Sequence, residues 1–361
     1  MNFNLDTDYE EEVLAAMTRV LRSHQYANGP ELKAFEEEWA SYNKLPYAVG
    51  VGSGTDALRL ALLACGVGPG DEVISPAFNV GYTAQAVVAI GAKNVFVDID
   101  PQTWLLDFDK TYLAATNKTK AIIPVHLFGQ MVDMRCFREA FRNITLIEDA
   151  AQAHGAMYDG RRPGWDSDAV CYSHYPTKNL GCLGEGGSVL TKLPIIANRV
   201  RLMRDAGRVD RYVHLMPGIN SMLDEVQAAI LRVKLPYLHK QNIKRLDAEI
   251  YYRTHLFEVG DITFQYANIN HTWNTNHLFV IKTKKRNEVL ANLKKYDIPA
   301  LVHYPCTLAR QPFAVADALD QGPFPVADEV AAQVLSLPMF PSITRLEQDI
   351  VIDVIKEVFN G

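Results

Sequence analysis

The residues best suited to chemistry lie in the stretch SHYPTKNLGCLGEGGSVL, residues 173–190. Lys178 stands there between a Ser-His-Tyr-Pro turn and a loop with four glycines, five residues after Ser173. A solvated surface lysine is the plain alternative. A lysine that is desolvated or held near another cation has a lowered pKa; it then acts as a nucleophile and forms a Schiff base. Two other stretches offer complementary groups. In GSGTDAL, Gly52, Ser53, Gly54 and Thr55 separate a strand pattern from a helix pattern. Free backbone N–H groups and the helix dipole make such a turn an anion site suited to phosphate; a purely structural turn is the alternative. In LIEDAAQAHGA an apolar strand ends on Glu148 and Asp149. A carboxylate in that setting needs a partner, unless Asp149 serves only as a helix cap.

A phosphate cradle, a carboxylate and a nucleophilic lysine are together what pyridoxal 5'-phosphate requires. The lysine forms an imine with the aldehyde, the carboxylate keeps the ring nitrogen protonated, and the cradle anchors the phosphate. No metal-ligand spacing and no Ser-His-Asp motif competes, so no metal is expected.

The elements that must position these groups follow from periodicity. Short apolar, β-branched runs at 47–53, 71–77, 94–100, 120–127, 144–151, 169–175 and 187–192 predict seven strands, most of them separated by helix-length segments. This is the pattern of a largely parallel sheet buried on both faces. Ligands of such sheets sit beyond the carboxyl ends of the strands. Residues 223–256 predict one long helix, or two broken at Pro236. Beyond it, 276–283, 286–298 and 300–305 read as strand, helix and strand, followed by a helical tail. We therefore expect a large cofactor domain over 1–245 and a smaller α+β domain over 246–361.

Composition sets the outer bounds. The 361 residues are 48% hydrophobic and 22% charged, as in ordinary globular proteins, and carry a formal charge of -6. That charge argues against nucleic acid as the main partner. The five cysteines form no C-x-x-C pair, which points to reduced thiols in a cytoplasmic setting. The amino-terminal stretch MNFNLDTDYEEEVLAAM lacks the features of a signal peptide, and no run approaches the length of a membrane span.

The chain resembles the DegT/DnrJ/EryC1/StrS group of sugar aminotransferases along nearly its whole length. The resemblance is carried by SGTDALRLALLACGVGPGDEVISPAF, VDIDPQTWLLD, AIIPVHLFGQMVDM, IEDAAQAHGA, SHYPTKNLGCLGEGG and GINSMLDEVQAAILRVKLPYL. It implies the fold type I of pyridoxal-phosphate enzymes, similar to aspartate aminotransferase. By the same resemblance Lys178 holds the cofactor as an internal aldimine and shuttles protons. Asp149 pairs with the ring nitrogen and Gln152 contacts the ring hydroxyl. Ser173, with the backbone N–H groups of Gly54 and Thr55, binds the phosphate. Asn220, in GINS, reaches the phosphate of a neighbouring subunit, which implies a homodimer with shared active sites. Lysine at 178 favours transamination over the dehydration of relatives with histidine there.

Two positions depart from the family pattern. Asn79 and Val80 stand where relatives carry an aromatic residue for the ring face, so either Phe78 or Tyr82 supplies it or the packing there is aliphatic. Met222 stands where an arginine is usual.

The stretches LVHYP and FPVADEVAAQVLSLPMFPSIT are most similar to members that aminate C3 of a nucleotide-linked 3-keto sugar. This implies His303 and Tyr304 as substrate-side residues, a dTDP- or UDP-linked keto sugar as substrate and L-glutamate as amino donor. Amination at C4 of a 4-keto-6-deoxy sugar nucleotide, and of an aminocyclitol ketone, are the alternatives within the class. Outside it stand a non-catalytic regulatory protein and a dinucleotide-binding oxidoreductase. The latter needs G-x-G-x-x-G, and VGVGSGTDAL has G-x-G-x-G with no third glycine in register.

Overall fold

The computed structural model describes residues 9–267, 271–316 and 322–360. All seven expected strands form near their predicted places: β1 (Tyr47–Val51), β2 (Glu72–Pro76), β3 (Lys93–Val97), β4 (Thr119–Ile122), β5 (Thr145–Asp149), β7 (Ala169–Ser173) and β8 (Gly187–Thr191). They make one sheet in the order β1-β8-β7-β5-β4-β2-β3. Strand β8 runs antiparallel to both its neighbours, β1 and β7, and every other pairing in this sheet is parallel.

The burial pattern explains the apolar runs. Val49, Val73, Ala121, Ile147, Cys171 and Val189 share one cluster with Leu58, Leu62 and Ala61 of the helix Gly54–Ala64. The alternate positions Val170, Tyr172 and Leu190 pack on the other face with Phe35 and Trp39 of the helix Pro30–Asn43. A strand covered on both sides has no polar face to display, so its sequence does not alternate.

Register brings the site together. Gly187 at the start of β8 lies opposite Val51 on one side and Ser173 on the other, while Asp149 pairs with Cys171. The ends of β1, β5 and β7 therefore lie at one edge of the sheet.

Beyond the sheet, the helix Glu225–Lys234, a short turn at Leu235–Tyr237 and the helix Leu238–Leu256 follow one another, and the break falls at Pro236 as expected. Residue 245 lies within the second of these helices. The remaining described strands are a pair, β6 (Met157–Tyr158) with β10 (Thr272–Trp273), and a three-stranded sheet in the order β12-β11-β9. The latter contains β9 (Thr263–Phe264), β11 (Phe279–Lys282) and β12 (Val334–Leu337). It packs on the helices Arg286–Lys295 and Arg345–Asn360 through Phe279, Ile281, Leu335, Leu293 and Val351. The strand expected at 300–305 does not form. Among the described residues its pairing with the small sheet is a single bridge, Leu301 to Ser336 on the outer edge of β12, the strand that pairs with β11 on its other side. No described helix is long and apolar enough to cross a membrane.

Candidate active site

The turn after β1 is an open anion cradle. Ser53 caps the helix Gly54–Ala64, its hydroxyl accepting from Asp56 N at 3.1 Å. The N–H groups of Gly54 and Thr55 have no partner among the described residues. A β-carbon on Gly54 would stand 2.7 Å from Ser173 Cβ, and one on Gly187 would stand 2.2 Å from Ser53 O. Two glycines thus let the turn settle onto the ends of β7 and β8, setting the free N–H groups beside the Ser173 hydroxyl. This is the arrangement that a phosphate monoester needs.

The lysine loop is pinned from below. Lys178 N–H donates to Tyr175 O at 2.9 Å. Gly181 passes so close to the Tyr175 and Pro176 carbonyls that a β-carbon would collide with them, and Lys234 Nζ donates to Gly181 O. Trp39 Nε1 donates to Ser188 Oγ at 3.0 Å, and Ser188 Oγ lies 2.9 Å from His174 Nε2. His174 Nδ1 meets the Leu180 carbonyl at 3.0 Å and must carry the hydrogen there. Nε2 is then the acceptor and the ring is neutral. Burial, partly opposed by that backbone bond, pushes its pKa down to about 4.

Burial also lowers the Lys178 ammonium to about 8, with the Asp149 carboxylate opposing the shift. The side chain is only partly enclosed, and no hydrogen bond or ion pair holds its amine among the described residues. Three imidazoles near it are kept neutral. Burial lowers His154, His277 and His303, and Lys178 adds to each shift; the neighbouring His174 contributes at His154, and Arg245 at His277.

Both oxygens of the Asp149 carboxylate accept a hydrogen bond. Its Oδ2 accepts from Thr83 Oγ1 at 2.6 Å, and Thr83 Oγ1 in turn accepts from Asn79 Nδ2 at 2.8 Å. Its Oδ1 accepts from Ala151 N at 3.1 Å. Two donors fix the orientation of this carboxylate and leave it lone pairs with which to accept from a cationic N–H. Glu148 faces the opposite side of β5, where it meets His126 Nε2 (2.6 Å), Gly164 N (2.7 Å) and Ser167 Oγ (2.5 Å). Sequence reasoning missed Thr83 as a partner of Asp149. The signal was available as two polar residues, Asn79 and Thr83, spaced by four in an otherwise apolar stretch.

The other expected residues fall into distinct settings. Gln152 is buried and bonds to Phe128 N and Tyr304. His303 Nδ1 lies 2.8 Å from Ser336 Oγ. Phe78 is wholly buried, whereas Tyr82 is 64% exposed. The segment 220–222 lies against the cradle of its own chain: Gly52 N donates to Ser221 O at 3.0 Å, Ser221 Oγ donates to Asp56 Oδ2 at 2.7 Å, and Met222 bridges to Val51. The Asn220 side chain is exposed. No group of three or more His, Cys, Asp or Glu side chains suited to a metal occurs among the described residues.

Comparison with known proteins agrees with this chemistry. The model of the DegT/DnrJ/EryC1/StrS aminotransferase family matches residues 7–356. The chain is 41% identical, over 98% of its length and 94% of the relative's, to a dTDP-3-amino-3,4,6-trideoxy-alpha-D-glucose transaminase of Streptomyces venezuelae. It is 40% identical, over 99% of its length and 97% of the relative's, to a Geobacillus stearothermophilus protein named pleiotropic regulatory protein. Among solved structures it is similar to S. venezuelae DesV in complex with a ketimine intermediate. The TM-score is 0.95 at 41% identity, over 98% of this chain and 96% of that one.

Proposed function

The chain belongs to the DegT/DnrJ/EryC1/StrS aminotransferase family, and from that premise we propose that it aminates C3 of a dTDP- or UDP-linked 3-keto hexose, with L-glutamate as donor. It is a pyridoxal-phosphate-dependent sugar nucleotide aminotransferase of fold type I. One observation carries the assignment of residues. A partly enclosed lysine with a lowered pKa, a doubly hydrogen-bonded carboxylate and a cradle of N–H groups without partners among the described residues share one edge of the sheet.

When bound, the cofactor supplies an electrophilic carbon and an electron-withdrawing ring. Gly54, Thr55 and Ser173 would hold its phosphate, Asp149 its ring nitrogen and Gln152 its ring oxygen. Lys178 Nζ, deprotonated in roughly one molecule in ten at pH 7 for a pKa of about 8, is the nucleophile and the base that takes and returns a proton. His303, with Nε2 unpaired among the described residues, faces the substrate side.

The preference for C3 rests on the carboxyl-terminal motifs and on the Streptomyces relative, whose name places the amino group there. C4 amination of a 4-keto-6-deoxy sugar nucleotide is the second reading. A purely regulatory role, suggested by the name of the Geobacillus relative, would not require Lys178, Asp149 and Thr83 to be kept together. We also assign the working form to a homodimer. In support, Asn220 is exposed in the single chain, and Val209, Tyr212, Val213 and Leu215 of the preceding loop are exposed apolar side chains. We divide the chain into residues 1–245 and 246–361, with the helix Leu238–Leu256 as the connector across that boundary. The five free thiols are in keeping with a cytoplasmic location.

The test is direct. Borohydride treatment of the holoenzyme should fix the cofactor on the Lys178 peptide, read by mass spectrometry. A panel of dTDP- and UDP-linked 3-keto and 4-keto sugars should show glutamate-dependent amination of a 3-keto member. Labelling of a different lysine would refute the site, and turnover of 4-keto sugars alone would refute the substrate.

A further inference from the structure

Gln152 meets protein at both ends of its amide. Phe128 N–H donates to Oε1 at 2.6 Å. A backbone N–H has only a hydrogen to offer, so that end of the amide is the oxygen. The nitrogen end lies 3.1 Å from the Tyr304 hydroxyl and therefore donates to it. One amide hydrogen is committed there, and the second has no acceptor among the described residues.

Tyr304 arrives from a distant part of the chain, in the segment 300–305 that Leu301 ties to Ser336 of β12. Its ring lies 6.1 Å from that of Phe78, which follows the end of β2. Burial raises the phenol; the Gln152 bond opposes this and the nearby Asp149 charge adds to it, so the group remains a neutral hydroxyl. Its neighbour His303 differs, since Nδ1 meets Ser336 while Nε2 has no partner among the described residues. Two residues adjacent in sequence therefore serve different partners.

We propose that Tyr304 is a cofactor-positioning residue: its hydroxyl holds the Gln152 amide nitrogen toward the ring oxygen of the bound cofactor, making the segment 300–305 part of the cofactor site. This rests on the assignment of pyridoxal phosphate to the recess. It moves Tyr304 from the substrate side, where the family resemblance places it, to the cofactor side.

The test uses holoenzyme without substrate. Tyr304→Phe keeps the ring beside Phe78 and removes only the hydroxyl. A donor to the ring oxygen stabilises its anionic form and lowers the proton affinity of the lysine–cofactor linkage. An untethered Gln152 gives up that donation. The pH midpoint of the visible absorbance should rise by about one unit, the size of one charge-assisted hydrogen bond. Asp149, Lys178 and His303 are unchanged in this variant. Gln152→Ala should shift the midpoint likewise, and the double variant no further. An unmoved midpoint in Tyr304→Phe, with only KM for the keto sugar raised, overturns the proposal and makes Tyr304 a substrate contact. Additive shifts also overturn it, because the two residues would then act separately. A wild-type protein that shows no visible band with pyridoxal phosphate fails differently, by refuting the cofactor assignment.

Discussion

Gly54 and Ser173 approach so closely that a β-carbon on Gly54 would lie 2.7 Å from Ser173 Cβ and 3.1 Å from its Cα. The contact joins the turn after β1 to the end of β7, across the start of β8. Alanine at a helix's first turn normally helps the helix slightly. Here Gly54→Ala must push the turn off the strand end and spread the cradle. Affinity for pyridoxal phosphate should fall by about tenfold or more, the worth of one hydrogen bond to a charged group. Equilibrium dialysis of the refolded variant measures this. An unchanged dissociation constant would place the phosphate elsewhere.

Thr83 gives Asp149 Oδ2 its hydrogen bond at 2.6 Å. Thr83→Val keeps the shape, removes the donor and strands the Asn79 amide. A hydrogen bond to a charged group contributes about 1.5–3 kcal/mol, so kcat should drop roughly tenfold or more. Thr83→Ser should restore most of it. Asp149→Asn should cost at least as much. Normal turnover in a folded Thr83→Val protein would remove Thr83 from the mechanism.

The amine of Lys178 must be neutral to attack. With its pKa lowered to about 8 by burial against the opposing pull of Asp149, loading of the cofactor-free protein should accelerate about tenfold per pH unit below that value. Above it the rate should level off. Stopped-flow absorbance at fixed cofactor concentration gives the profile. A rate still climbing past pH 9.5 would show that the amine keeps a solvated lysine's pKa near 10.5.

Asn220 lies beside the cradle of its own chain through Ser221, yet its side chain is exposed. If it completes a partner's site, mixing Lys178→Ala with Asn220→Ala subunits restores activity. Each mixed dimer then carries both defects in one site and leaves the other intact, for up to about half of normal turnover per dimer. If Asn220 serves its own chain, each site in a mixed dimer carries one defect and no activity returns. Confirming subunit exchange by native mass spectrometry makes either outcome decisive.

Much of this was legible in the chain itself. Strands buried on both faces must be apolar throughout, so the seven runs stood out and their spacing fell near the observed elements. Pro236 marked its helix break because it lacks an N–H and fixes φ. Lys178, Asp149 and the GSGT turn were visible because each breaks a local pattern: a cation before a glycine loop, a charge at a strand's end, glycines before a helix. The 300–305 segment misled, because a short run such as ALVHYP suits a strand whatever length of it pairs, and here the bridge is Leu301 to Ser336 alone among the described residues.

What local pattern could not carry was decided in three dimensions. Only the antiparallel insertion of β8 between β1 and β7 sets Gly54 against Ser173, since pairing depends on register between segments more than a hundred residues apart. The alternation of β5 sends Asp149 to the site and Glu148 into a closed network with His126 and Ser167. The link from Tyr304 to Gln152 spans 152 residues. Composition and periodicity determine which faces are buried, and so which elements form. Which polar groups meet is settled by packing, because a buried donor must find an acceptor wherever the fold brings one within about 3 Å.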